Sequence, residues 1–107
     1  MKPYYDERGV TIYHGDARDV LPHIACADLV VTDPPYNAGK AYDGYSDDLP
    51  TDEYECFMAE VVSECRRIAP AQAWVAPRYQ LPLWFRLLPK AHLIVIRRGA
   101  MGPYRGN

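Results

Sequence analysis

The order of the hydrophobic segments predicts an α/β fold in which a mostly parallel sheet is flanked by helices. Three observations predict it: a continuous apolar run at residues 27–32 that ends in Asp33-Pro34-Pro35, a stripe of apolar residues from Tyr54 to Ile68, and two further β-rich runs at residues 71–76 and 91–96 with a short helical pattern between them. Strand, helix, strand, helix, strand is the rhythm of parallel strands joined by right-handed crossovers. At 107 residues the chain fits a single domain spanning residues 1–107.

Within residues 9–16, Val10 and Ile12 alternate with Thr11 and Tyr13, the two-residue period of a strand, and Glu7-Arg8-Gly9 supplies a hairpin turn before it. A helical turn at residues 17–21 is ended by Pro22. The run 27–32 is apolar throughout, which suits a central strand covered on both faces. Residues 37–50 are polar, with Gly39, Gly44 and several tyrosines and aspartates, and read as a long mobile loop. Thr51 caps the next helix, whose first turn sets Asp52 and Glu53 against the positive helix end. Tyr54, Phe57, Met58, Val61, Val62, Cys65 and Ile68 then step by three and four, so one stripe faces a core. Arg66 and Arg67 suit the C-terminal end of that helix, and Pro70 closes it. Residues 81–88 form a short helix with Leu83, Trp84, Leu87 and Leu88 inward, and the tail 99–107 carries turn residues only.

An apolar fraction of 49% and a charged fraction of 24% exclude a disordered or fibrous chain. No apolar run approaches the roughly 20 residues of a membrane span, and the first residues resemble no secretory signal, so the cytoplasm is the expected compartment. Cys26, Cys56 and Cys65 lack the spacing of a zinc site, which predicts reduced, semi-buried thiols and no metal. A net charge of −2 argues against nucleic-acid binding by bulk charge, but the charge is unevenly placed. Residues 1–64 hold all 14 acidic residues and four basic ones, whereas residues 65–107 hold eight basic residues and no acid. That basic half either faces phosphate or snorkels its arginines around helix ends.

In open α/β sheets the ligand site lies beyond the carboxyl ends of the strands, where Asp33, Pro34, Pro35 and Tyr36 fall. The two prolines fix their own φ and remove two amide donors, leaving a rigid rim of acceptors made by the Asp33 carboxylate and nearby carbonyls. Such a rim suits a target that presents an amino group, such as N6 of adenine or N4 of cytosine. The lone pair of that nitrogen is delocalised into the ring, and two fixed acceptors for its N–H bonds free it to attack a methyl donor. Tyr36 offers a flat face on which a base extruded from the duplex can stack. The bland alternative is a strand-terminating turn with Tyr36 packed on the sheet edge.

The segments H-G-D-A-R-D-V-L, A-D-L-V-V-T-D-P-P-Y-N-A-G-K, D-E-Y-E-C-F-M and R-R-I-A-P resemble the front half of DNA adenine-N6 or cytosine-N4 methyltransferases, in the permuted arrangement that places the catalytic motif before the cofactor motif. The resemblance implies a partial Rossmann-like methyltransferase fold, S-adenosylmethionine as cofactor and DNA as partner; the D-P-P-Y form implies adenine. It gives Asp33, Pro34, Pro35 and Tyr36 the catalytic site, with Asp33 also bordering the methionine end of the cofactor. Asp16 matches the position that contacts the cofactor's adenine, or else serves as a helix cap. Tyr36, Asn37 and Lys40 match substrate-binding positions, with Lys40 either meeting a phosphate or standing as a solvated loop lysine. A glycine-rich stretch of the D-P-F-x-G-S-G-T type is missing. The chain thus resembles an amino-terminal half, as a fragment, a degenerate copy or one part of a split enzyme, whose partner is a C-terminal half or a second copy.

Overall fold

The structure is a computed structural model that describes residues 1–96. Its centre is a parallel pair, β3 (Leu29–Thr32) and β6 (Ala71–Trp74), joined through the long helix α2 (Thr51–Ile68). Leu29 pairs with Ala71 and Thr32 with Trp74, so both strands point the same way and end together. α2 runs back between them, and the Ala27 amide donates to the Ile68 carbonyl at 2.8 Å, fixing the helix's last turn beside the start of β3. Two small hairpins precede and follow β3: β1 (Tyr5–Glu7) with β2 (Val10–Ile12), and β4 (Ala41–Tyr42) with β5 (Tyr45–Ser46), both antiparallel. Arg8 and Gly9 both take positive φ at the first turn, the backbone of a two-residue hairpin that matches strand twist. α1 (Ala17–Val20) runs on into a 3-10 turn at Leu21–His23, and a second such turn, Arg78–Gln80, leads into α3 (Leu81–Leu87).

α2 buries Tyr54, Met58, Val62, Cys65 and Ile68, five of the seven stripe positions, while Phe57 and Val61 are half-buried. Met58, only 1% exposed, lies at the centre of a cluster with Tyr54, Val62, Leu83 and Trp84, and Trp74 from β6 closes it with its ring centroid 5.2 Å from that of Trp84. The helix begins at Thr51 with Pro50 as its cap residue and no side-chain cap bond, so Thr51 is the first helical residue and not the cap. Pro50 has no amide, so this helix end carries one fewer unpaired donor.

Further expectations are corrected, among them the semi-buried thiols: Cys26 and Cys56 are exposed and Cys65 is buried. The run 27–32 yields a strand only at Leu29–Thr32, covered on one face: Val30 and Thr32 turn toward the helices, while Leu29 is 54% and Val31 71% exposed. Of the expected mostly parallel sheet, one parallel pair is formed among the described residues. Residues 91–96 form no strand although their composition favours one; Ile94 is 83% exposed, and β-branched side chains cannot make a strand without a neighbour to complete the ladder. Residues 37–50 hold a hairpin anchored by Asp47 in place of a long mobile loop. The tail 99–107 and Arg97, Arg98 and Arg105 lie outside the described residues.

Met58→Ala or Trp84→Ala is expected to lower unfolding stability by about 2–5 kcal/mol in denaturant titration, whereas Val31→Thr on the open face stays within about 0.5 kcal/mol. The Tyr54 hydroxyl donates to the Pro35 carbonyl at 2.7 Å, and burial pushes its pKa above the ordinary 10.0. A raised folded pKa contributes stability that is complete below the unfolded value and is lost as pH rises through the folded one. Stability is therefore expected to fall above pH 10, and Tyr54→Phe to flatten that fall in urea melts across the alkaline range.

Candidate functional site

β3 ends at Thr32, whose carbonyl accepts from Val75 at 3.0 Å, and the chain then enters Asp33-Pro34-Pro35-Tyr36. Pro34 is buried, Asp33 is exposed at the rim and Tyr36 is half-buried beside it. The Tyr36 hydroxyl donates to Asp33 Oδ1 at 2.5 Å. The carbonyls that follow are held from other elements: Pro35 by the Tyr54 hydroxyl of α2, and Tyr36 by Gln80 Nε2 at 2.5 Å. Trp84 of α3 places its indole N–H 3.2 Å from Gln80 Oε1. Because an indole nitrogen only donates, that contact sets the orientation of the Gln80 carboxamide and aims its NH2 at Tyr36.

Beyond Tyr36, Asn37 takes a left-handed backbone with φ 55°. Its side chain uses both polar atoms on Leu49, donating to the carbonyl at 2.8 Å and accepting from the amide at 2.7 Å. The Asp47 carboxylate, in a residue only 4% exposed, accepts from the amides of Asn37, Ala38 and Lys40 at 3.0–3.1 Å, and its carbonyl accepts from Gly39 at 2.7 Å. Such a buried carboxylate is tolerated because three amides meet it. Lys40 is exposed, its ammonium 5.7 Å from the centre of the Tyr42 ring.

Asp16 caps α1 through the Arg18 amide, and the Arg18 guanidinium grips both its oxygens at 3.0 and 2.7 Å. That side-chain bond, then the backbone one, holds the Asp16 carboxyl below the usual carboxylate range. Arg18 also lies 4.6 Å over the Phe57 ring, joining α1 to α2. Among the described residues, the basic side chains of the carboxyl half are divided between the two ends of the parallel pair. Arg66 and Arg67 sit at the end of α2 that adjoins the start of β3, with Arg67 engaged by Glu64 and the carbonyls of Leu21 and Ile24. Arg78 sits past the end of β6, two residues before Gln80, on the side of the sheet edge that carries Asp33.

A bound nucleoside cofactor needs close backbone approach, which glycine turns provide. Gly9, Gly39 and Gly44 have positive φ in turns with open space where a Cβ would stand, and a Cβ on Gly15 would make ordinary contact with Val20 at 3.6 Å. None of these glycines lies in a glycine-rich run, so the described residues carry no glycine-rich cofactor motif. Asp33 through Tyr36, Asn37 and Lys40 are brought together on one loop, with Asp16 engaged at α1. Tyr54, Gln80 and Asp47 join the site without having been singled out. Tyr54 was hidden in the apolar stripe by its ring, Asp47 in an acidic loop, and Gln80 carried no sequence signal.

The DNA methylase family of the N6/N4 type matches residues 27–94. The chain is 39% identical over 72 residues to the type II methyltransferase M.ScaI of Streptomyces caespitosus, covering 65% of this chain and 23% of that protein. It is 41% identical over 64 residues to the DNA adenine methyltransferase YhdJ of Escherichia coli K12, covering 58% of this chain and 22% of that one. A third relative, the type II methyltransferase M.BglII of Bacillus subtilis, is 39% identical over 59 residues, 53% of this chain and 16% of its own length. The chain spans less than a quarter of each. No solved structure gives a significant match. At the level of the family these matches associate the chain with S-adenosylmethionine-dependent DNA methylation and restriction–modification. With most of its length, the Asp33-Pro34-Pro35-Tyr36 turn included, inside the matched region, the chain belongs to the N6/N4 DNA methylase family.

Proposed function

We propose that the chain supplies the target-base half of an S-adenosylmethionine-dependent DNA methyltransferase acting on an exocyclic amino group, adenine N6 in particular, within a single Rossmann-like domain in the cytoplasm. The observation that carries this reading is Asp33 at the carboxyl end of a parallel strand, with the carbonyls of Pro35 and Tyr36 taken up by Tyr54 and Gln80. Asp33 accepts one N–H of the target amino group and the Pro34 carbonyl the other, while the Tyr36 ring stacks on the base. Orienting both N–H bonds draws the nitrogen lone pair out of the ring. The residues of this chain thus bind the base and hold its amino group. Asn37 shapes the loop below the base, and Lys40 meets a phosphate of the strand.

Bound cofactor supplies a methyl group on a sulfonium. Asp33 would border its methionine end and Asp16 would meet its adenine, with the remaining contacts supplied by a C-terminal half or a second copy. The open face of β3 and β6 favours a second reading, in which the chain is a non-catalytic remnant or accessory half that binds nucleic acid or a complementary methyltransferase half. Calorimetric titration with S-adenosylmethionine, alone and with DNA, separates the two. Cofactor heat in the presence of DNA is expected from the first reading, and salt-sensitive DNA binding without cofactor heat from the second. Tyr36→Ala is expected to weaken binding of a single-stranded adenine oligonucleotide by about 1–3 kcal/mol, the worth of one stacked base, and Asp33→Ala to abolish preference for adenine over thymine. Equal binding by both variants and the unaltered chain would refute the roles given to these residues.

A further inference from the structure

We infer that Gln80 is a positioning residue of the base site: it holds the Tyr36 main chain still, so that a target amino group displaces the Tyr36 hydroxyl from Asp33 by a swing of the Tyr36 side chain about its Cα–Cβ bond alone. The inference rests on the base-binding reading above. In the structure Asp33 Oδ1 is already occupied by the Tyr36 hydroxyl, so an incoming amino group and this hydroxyl compete for one carboxylate. They could exchange by a shift of the whole loop or by torsion of the Tyr36 side chain. A loop shift would carry Asp33 away from the base together with Tyr36, and a side-chain turn would not.

The main chain on both sides of Tyr36 is pinned from separate elements. Before it, the Pro35 carbonyl accepts from Tyr54 of α2. At it, the carbonyl accepts from Gln80. After it, the Asn37 amide donates to Asp47 at 3.1 Å, and the Asn37 side chain is paired with Leu49 in both directions. Of these clamps only Gln80 acts on Tyr36 itself, and Trp84 presets its carboxamide. Glutamine is required by this geometry. One end must accept from an indole that can only donate, and the other must donate to a carbonyl that can only accept. A carboxylate at 80 would satisfy Trp84 and set oxygen against oxygen at Tyr36. Oε1 also lies 3.2 Å from the Tyr54 hydroxyl, so a leucine would leave Trp84 and Tyr36 unmet and remove that contact of Tyr54 as well.

The test uses the full chain with ring-labelled tyrosine, read by NMR, alongside fluorescence-anisotropy titration with an end-labelled single-stranded oligonucleotide containing adenine. Signals of Tyr36 are assigned by their loss in Tyr36→Phe. Gln80→Glu, which preserves shape, and Gln80→Leu are both expected to move the Tyr36 ring signals while those of Tyr4, Tyr5 and Tyr13 stay in place. Both are expected to weaken oligonucleotide binding about tenfold, the effect of one lost hydrogen bond at its upper range. Tyr36 signals unchanged in both variants would overturn the inference, whatever happens to binding. If Asp33→Ala loses the oligonucleotide and the Gln80 variants keep it with unaltered Tyr36 signals, the base-binding reading stands and the role of Gln80 falls. If the unaltered chain shows no preference for the purine over a thymine oligonucleotide, the base-binding reading falls, and with it the purpose assigned to Gln80; moved Tyr36 signals would then mark only a structural clamp.

Discussion

Because β3 and β6 pair in parallel, the chain leaves both strands at the same edge, and the geometry of the site follows from this. The segment after β3 carries Asp33 through Tyr36, and the segment after β6 carries Arg78 through Gln80. An antiparallel pair would have sent these segments to opposite ends. Parallel pairing needs a long crossover, and α2 provides it; its apolar stripe is what presses the crossover onto one face of the pair. The stripe therefore sets more than stability. Its first buried member, Tyr54, is also the donor to Pro35, so the residue that starts the core also fixes the loop.

Two prolines in succession create a polar imbalance at this edge. They remove two donors and leave carbonyls that must be met from elsewhere. Tyr54 and Gln80 meet two of them, and each such bond contributes about 0.5–1.5 kcal/mol while an unmet buried carbonyl costs about 1–3 kcal/mol. The asymmetry decides which groups face outward. Carbonyls held by side chains from α2 and from the segment after β6 are withdrawn from solvent chemistry, and the exposed carboxylate of Asp33 remains as the acceptor at the rim. Its present partner is the neighbouring Tyr36 hydroxyl, a neutral donor that another neutral donor, such as an aromatic amino group, can replace at little net cost.

Local patterns in the sequence were enough for α2, the first hairpin turn, β3 and β6, since each depends on periodicity, turn residues or prolines within a few positions. The Asp33-Pro34-Pro35-Tyr36 turn was legible for the same reason. What the sequence did not reveal depends on partners distant along the chain. Val31 belongs to an apolar run that reads as doubly covered, yet whether a layer lies on each side is settled by segments elsewhere. Leu93 to Ile96 have strand composition and no ladder. Asp47 looks like one more acid in a polar loop until its carboxylate meets three amides seven to ten residues away, and that contact turns an expected mobile loop into a fixed one. Gln80 is 44 residues from the carbonyl it serves.

The open face of the β3–β6 pair links stability to the proposed role. Leu29, Val31 and Val75 expose half or more of their surface there, and covering what remains open stabilises by about 1–2 kcal/mol each, a fraction of the value for full burial. Their combined burial would outweigh the net worth of any single hydrogen bond in the site. A complementary half that laid a helix across this face would thus bind chiefly through apolar contact, with the site's polar groups left free for the base. It would also make a second layer for the strand from which Asp33 projects, so the rim would stiffen as the cofactor-binding contacts arrived.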